Sequence, residues 1–222
     1  MSDLTNRFEG LEMNLDNYTF HILGCGAIGS AVASTLSRMG AEHFILYDND
    51  KVEMVNVGVS QYNCTHINRN KVDALSDIIL SINPLAKVHS ENGLFKEYLY
   101  NGKIEVVILG FDSMASRLEA MTIIDKAKWP QPSWVIDGRM GAEQYQQYVI
   151  KGPNNLLKSY MKVWYSDKDS SPEPCNLKAT AYCSSMAGAF IANAVRKITT
   201  KQPYNEDFSF SFPIMRISAF TH

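Results

Sequence analysis

The sequence predicts an α/β protein built on a doubly wound, mostly parallel sheet with an antiparallel C-terminal extension. Three observations carry this. Apolar runs alternate with helical periodicity through the first two thirds of the 222 residues, the signature of strand–helix units on a parallel sheet. A glycine turn, Gly24-Cys25-Gly26-Ala27-Ile28-Gly29, stands between the first apolar run and the first helical one. After Gln144 the pattern changes to alternation of Gln144, Gln146 and Gln147 with Tyr145, Tyr148 and Ile150, which suits an antiparallel strand.

The elements follow in order. Residues 1–17 are polar with scattered Leu4, Phe8, Leu11 and Leu15, a short leading helix or an arm on a partner subunit. Tyr18 to Leu23 reads as the first strand. Ala27 to Met39 reads as a helix with Ile28, Val32, Leu36 and Met39 on one face, and Gly40 caps it. His43 to Tyr47 is apolar enough for a strand buried on both faces, and Asp48 and Asp50 end it. Lys51 to Asn68 reads as an irregular loop. Asn70 caps a helix to about Ile82, which Asn83-Pro84 stops. Lys87 to His89 and Ile104 to Leu109 are strands, and a helix runs from about Ala115 to Ala127. Trp134 to Ile136 is a strand closing on Asp137-Gly138-Arg139. Lys168 to Pro174 is a charged loop, Ala181 to Ile198 a helix with Met186, Phe190, Val195 and Ile198 on or near one face, and Phe208, Phe210 and Phe212 alternate as a strand. One domain is expected, with an arm (1–17), a nucleotide-binding core (18–140) and a capping part (141–222).

Bulk properties exclude several classes. A formal net charge of -2 argues against nucleic-acid binding. Cys25, Cys64, Cys175 and Cys183 form neither a disulfide framework nor a C-x-x-C zinc pair. The N-terminus lacks the apolar core of a signal peptide, and the charge-light run Ala179 to Val195 is broken by Thr180, Ser184, Ser185 and Asn193, so a buried helix is expected and no membrane span. The expected setting is cytoplasmic.

The glycine turn has the spacing G-x-G-x-x-G, which ends a strand and opens a helix in the Rossmann manner. Gly24 permits the tight turn, Gly26 lets a phosphate approach bare backbone, and Gly29 lets the helix lie close on the strand. Asp48 falls where a carboxylate meets ribose hydroxyls. These features fit an NAD(P)- or FAD-dependent oxidoreductase as well as an ATP site. The strand ends, however, also gather Asp50, Asp112 and Asp137. Several acids suit a Mg²⁺-nucleotide better than a dinucleotide, because Mg²⁺ takes one or two carboxylates plus phosphate oxygens. Lys71 opens the next helix and can swing toward the turn. Arg117 is either a second cation or a surface helix charge. Arg139 either pairs with Asp137 or meets a substrate carboxylate.

Four ordered blocks then carry a resemblance: G-C-G-A-I-G-S, D-N-D-K-V-E-x-x-N, K-V-D-A-L with a trailing I-N-P, and F-D-S-M-A-S-R. Together they resemble the ThiF/MoeB/HesA family of ubiquitin-activating-enzyme-like adenylyltransferases, in its stand-alone bacterial or phage type. The resemblance spans roughly Asn17 to Ala127 and continues more weakly to Ile198. It implies ATP and Mg²⁺ as cofactors, and activation of the C-terminal carboxylate of a ubiquitin-like or sulfur-carrier protein or peptide as an acyl-adenylate. It places the nucleotide on Gly24, Gly26, Ala27, Gly29, Asp48, Asp50, Asn56, Lys71 and Asp112, with Asp112 on Mg²⁺ and Lys71 and Asp112 catalytic. It also implies a homodimer, for which the Phe208–Phe220 stretch is a candidate surface. A transfer step would use a cysteine, Cys175 in S-P-E-P-C-N before Cys183. The family's N-x-x-R-Q reads N-V-G-V-S-Q here, so Val59 or Ser60 replaces a phosphate-contacting Arg. Arg69, Arg139 or a partner's N-terminal residue equivalent to Arg7 are the candidate substitutes; a catalytically weakened nucleotide-binding module is the alternative.

Overall fold

The computed structural model describes residues 3–11, 13–168 and 179–220. A 3-10 helix, Asp3–Leu11, leads into β1 (Tyr18–Leu23), α1 (Ala27–Arg38) and β2 (His43–Asp48). The segment expected to be irregular contains a short helix α2 (Met54–Val57) and a 3-10 turn, Cys64–His66. Next come α3 (Lys71–Ile82), β3 (Lys87–Asn92), β4 (Ile104–Leu109), α4 (Met114–Lys126), β5 (Trp134–Gly141), β6 (Gln144–Lys151), α5 (Leu156–Tyr160), α6 (Ala181–Thr199), β7 (Asp207–Ser211) and β8 (Arg216–Phe220).

All eight strands form one sheet in the order β3-β2-β1-β4-β5-β6-β7-β8. The first five in that order pair in parallel, and β6, β7 and β8 are added antiparallel. The chain winds outward from β1 to β3 and then returns to place β4 on β1's other side. The strand order therefore reverses between β1 and β4, and the crevice at such a reversal, beyond the carboxyl ends of the strands, is where ligands bind in this architecture.

The two faces bury separate cores. One joins Ile22, Phe20 and Phe44 of the sheet to Val32 and Leu36 of α1, Leu75 of α3 and Ile191 of α6. The other joins Leu23, Val107 and Leu109 to Met121 and Ile124 of α4 and Tyr160 of α5. Two strands carry ionisable side chains into this interior. His21 of β1 and Glu105 of β4 lie 2.5 Å apart, both buried, as burial of an ionisable group requires a partner.

Two elements differ instructively from expectation. In α6 the deepest face is made of Cys183, Ala187, Gly188 and Ile191, with Met186 and Phe190 packed only at its margin. The cause is α1: a Cβ on Gly188 would lie 2.9 Å from the Ala31 backbone, so the helices approach too closely for large residues. And β5 does not close at Ile136 but runs on through Asp137-Gly138-Arg139 to Gly141, because β6 pairs with its full length in a hairpin. Phe208 and Phe210 of β7 are buried, whereas Ile214, Met215 and Ile217 at the β7–β8 edge are exposed.

Candidate functional site

A cleft of about 1290 Å³ opens over the carboxyl ends of the parallel strands. It is lined by Gly24, Gly26, Ala27, Asp48, Asp50, Asn56, Lys71 and Asp112, among others. A smaller cavity of about 420 Å³ lies at the opposite ends of the strands, against Thr19, His43 and Lys87. Of the sequence-derived nucleotide residues, only Gly29 is missing from the cleft wall.

Gly29 acts from beneath. A Cβ there would sit 2.0 Å from the Gly24 carbonyl oxygen and 3.0 Å from Ile22 Cγ2. No rearrangement of a flexible side chain relieves a clash with backbone. Gly29→Ala should destabilise the fold by about 2 kcal/mol and lower the thermal unfolding midpoint; an unchanged midpoint would contradict the close packing. Gly24 is held at φ +92° with its own Cβ position blocked by Gly110, and a side chain is disfavoured there on both counts. Gly26 is the opposite case: a Cβ on it meets nothing within 4 Å. Its backbone faces the open cleft, leaving room for a phosphate.

The N-termini of α1 and α4 border this cleft, and they are not equivalent. α1 has Gly26 as its cap, no side-chain cap and no acidic residue in its first turn. Its amides and the positive end of its dipole remain for an anion. α4 is already satisfied: Ser113 Oγ accepts from Ser116 N–H, and the Asp167 carboxylate accepts from Met114 N–H at 2.8 Å and Ala115 N–H at 3.3 Å. Of the two, α1 alone keeps a first turn with neither a side-chain cap nor an acidic residue.

Asp48 is fixed before any ligand arrives. One carboxylate oxygen accepts from Cys25 N–H at 2.7 Å and the other from Asp50 N–H at 2.8 Å. Burial raises its pKa above the ordinary 3.8, and the nearby Lys71 charge is the main opposing influence. Lys71 Nζ lies 2.7 Å from Asp50 Oδ2. Burial pulls the Lys71 pKa down, but its hydrogen bond to Asp50 and the charge of Asp48 outweigh this and leave it raised, so the ammonium is charged at neutral pH. Its helix is tied to the glycine turn by Tyr62, whose hydroxyl lies 2.6 Å from the Cys25 carbonyl oxygen and 3.1 Å from that of Lys71. Asn56 accepts from Glu53 N–H through its amide oxygen at 2.8 Å, which leaves its amide nitrogen as the donor end. Asp112 is exposed in the turn between β4 and α4. Among the described residues no group of three or more His, Cys, Asp or Glu could hold a metal ion. A single open carboxylate still fits a Mg²⁺ that arrives with phosphate oxygens and keeps several waters.

Two expectations are corrected. Asp137 does not join the acids of the cleft. It is fully buried, paired with Arg117 and Arg139 (2.7 Å), and accepts a hydrogen bond from the Tyr160 hydroxyl (3.1 Å). Arg117 is likewise no surface charge: it is 4% exposed and donates to Asp137 and to the carbonyls of Leu109 and Phe111. Its place on the inner face of α4, one and a half turns after Asp112, lets it clamp β4 to β5. Arg139 pairs with Asp137 and lies between the rings of Tyr148 and Tyr165 at 4.4 Å and 4.8 Å; burial lowers its pKa, but the Asp137 carboxylate more than restores it. Arg69 pairs with Asp77 at 2.6 Å away from the cleft, and Arg7 is exposed and does not line it. Val59, one of the two residues that stand where the arginine is expected, does line it.

Cys183 is buried with its thiol 3.7 Å from the Gln144 carbonyl oxygen. Cys25 is also buried, and burial pushes its thiol pKa well up. Cys64 is exposed. Cys175 lies outside the described residues. The sequence gives no hint of the Asp167 clamp on α4, or of Trp164, whose indole N–H donates to the Met114 carbonyl at 3.0 Å; both contacts span some 50 residues of chain. Among the described residues no helix is long and apolar enough to cross a membrane.

The sequence model described as "ThiF family" matches residues 5–221. Ubiquitin-like modifier-activating enzyme 5 of Caenorhabditis elegans is 30% identical over 114 residues, covering 45% of this chain and 27% of that protein. The tRNA threonylcarbamoyladenosine dehydratase of Bacillus subtilis is 34% identical over 93 residues, 41% of this chain and 36% of that protein. The match thus spans between about a quarter and a third of these relatives. Among solved structures, E. coli MccB with AMPCPP and MccA superposes with a TM-score of 0.72 over 99% of this chain and 71% of that one, at 18% identity. PaaA gives 0.68 over 93% and 64%, at 19% identity. Both share the fold.

Proposed function

Because this chain belongs to the ThiF family, we propose that it is an ATP-dependent adenylyltransferase. In this reading it activates the C-terminal carboxylate of a ubiquitin-like or sulfur-carrier protein or of a peptide, giving an acyl-adenylate and pyrophosphate. The observation that carries the proposal is the bare α1 terminus flanked, in one cleft, by Lys71 on one side and Asp112 on the other. A dinucleotide oxidoreductase accounts for Gly24, Gly26 and Asp48, but gives no role to a lysine and an open carboxylate beyond the ribose position.

The roles divide as follows. Asp48, preset by two backbone amides, takes the ribose hydroxyls. The α1 amides around Gly26 and Ala27, with Asn56 and Lys71, receive the phosphates. Asp112 would hold Mg²⁺, which supplies positive charge to the departing pyrophosphate. The transition state gathers negative charge on the α-phosphate, so positioned cations and dipoles do most of the catalytic work. Asp50 holds the Lys71 ammonium in place until phosphate oxygens compete for it. The relatives' names support the acceptor class: an enzyme that activates a ubiquitin-like modifier, and MccB solved with the MccA peptide. A transfer step onto a cysteine is assigned to Cys175, since Cys183 is buried in α6. The chain is proposed to act as a cytoplasmic homodimer of single adenylation domains, which light scattering tests. The catalytically weakened reading has one observation in its favour, Val59 on the cleft wall.

The test is exchange of labelled pyrophosphate into ATP with free-acid acceptors, and none with the same acceptors amidated. ATP binding without exchange, across ubiquitin-like, sulfur-carrier and peptide acceptors, would leave the weakened module. The same site predicts a pH limb. Ribose binding needs the Asp48 carboxylate, and its pKa is raised by burial. ATP affinity should therefore fall on acidification with a midpoint above 3.8, and Asp48→Asn should flatten that limb. A limb that persists in Asp48→Asn would assign it to another group.

A further inference from the structure

With Val59 or Ser60 standing where the resemblance implies an arginine, a second cation for this cleft must come from elsewhere, and the structure offers one. Among the described residues four basic side chains line the cleft: Lys71, Arg117, Arg139 and Lys168. Arg117 and Arg139 are consumed by Asp137 and by backbone carbonyls. Lys71 is held by Asp50. Lys168 is exposed to the cleft, and among the described residues it is in no ion pair.

We propose that Lys168 is the second phosphate-binding cation of this site, contacting the β- and γ-phosphates of ATP from the far side of the cleft. The proposal rests on the adenylyltransferase reading and deepens it. Its warrant is where the neighbouring residue is anchored. Asp167 spans the first two amides of α4, and three residues earlier Trp164 bonds the Met114 carbonyl. These contacts fix the segment that carries Lys168 beside the β4–α4 turn, and Asp112 lies in that turn. Lys168 therefore stands at the end of the cleft where Mg²⁺ and pyrophosphate would sit. Lys71 stands across from it, on the α3 side. Asp112 and Glu119 also line the cleft, and a polyanion bound there draws on a cation besides the Mg²⁺ assigned to Asp112. The Asp167 clamp serves two purposes: it quenches the α4 terminus as a rival anion site, and it delivers the next side chain to the phosphates.

An anchored lysine at this position acts on the terminal phosphates and not on the adenosine. Mg-ATP and AMP are therefore the two probes, titrated by calorimetry against the full chain. Lys168→Ala should weaken Mg-ATP about tenfold, the value of one charge-assisted hydrogen bond, and leave AMP unchanged. Lys168→Arg should recover most of the loss. Unchanged Mg-ATP affinity in Lys168→Ala, or an equal loss for ATP and AMP, would overturn the assignment. Wild-type protein that binds neither nucleotide would sink the nucleotide reading itself, and Lys168 with it; wild type that binds both while Lys168→Ala changes neither would sink Lys168 alone.

Discussion

Replacing Asp137 by Ala should cost the protein about 3–5 kcal/mol, since it strands two buried guanidinium groups with no counter-charge. Asp137 is fully buried, and Arg117 and Arg139 are 4% and 5% exposed. Tyr160 shares the same carboxylate, and burial followed by the Asp137 charge raises the Tyr160 pKa, which keeps its hydroxyl protonated as a donor. One acid thus joins β5, α4, α5 and, through Arg139 and the Val163 carbonyl at 2.9 Å, the chain that leads to Asp167 and Lys168. The expected result is a large drop in the urea midpoint, with ATP binding weakened even where the fold survives, because the wall of the cleft is loosened. Asp112→Asn is the contrasting variant. It should leave stability within about 0.5 kcal/mol, as exposed positions generally do, while depressing pyrophosphate exchange. Equal stability losses in the two variants would refute the division between structural and cleft acids.

Lys71→Ala should reduce pyrophosphate exchange by about 10²–10³-fold, the usual effect of deleting one preorganised charge-stabilising group. Stability should change far less than in Asp137→Ala, because Lys71 is buried but its partner Asp50 is 58% exposed and stays solvated, so no buried charge is stranded. Exchange within a few-fold of wild type, measured with the acceptor that gives the highest wild-type rate, would remove Lys71 from the chemistry.

How far the sequence could be read depended on the range of each interaction. The glycine turn, Asp48, the α3 start at Lys71 and the β4–α4 turn at Asp112 are local motifs, with periodicity and spacing fixed within a few residues, and the structure gathers all of them at one sheet edge. The parallel-then-antiparallel order was legible for the same reason: buried strands and half-buried strands write different patterns. What failed was long-range. Asp137 looked like a strand's polar tip because charged residues at the end of an apolar run usually face solvent, although its pairing with Arg139 was one of the two readings open. Asp137 is interior because Arg117, some 20 residues earlier, arrives on the inner face of α4 to meet it. In the same way Lys168 read as a loop charge, since nothing local reveals that Asp167 is clamped to α4 more than 50 residues away. The small-residue face of α6 is a third case: Ala187 and Gly188 gain meaning only when α1 is laid against them.

The glycine turn is proposed to be half of an ATP site completed by Asn56, Lys71 and Asp112, and not a dinucleotide site. The most direct test is a side-by-side calorimetric titration of the wild-type chain with Mg-ATP and with NAD. Saturable Mg-ATP binding that Lys71→Ala weakens, and no NAD binding, is the expected result. Saturable NAD binding with none for Mg-ATP would contradict it.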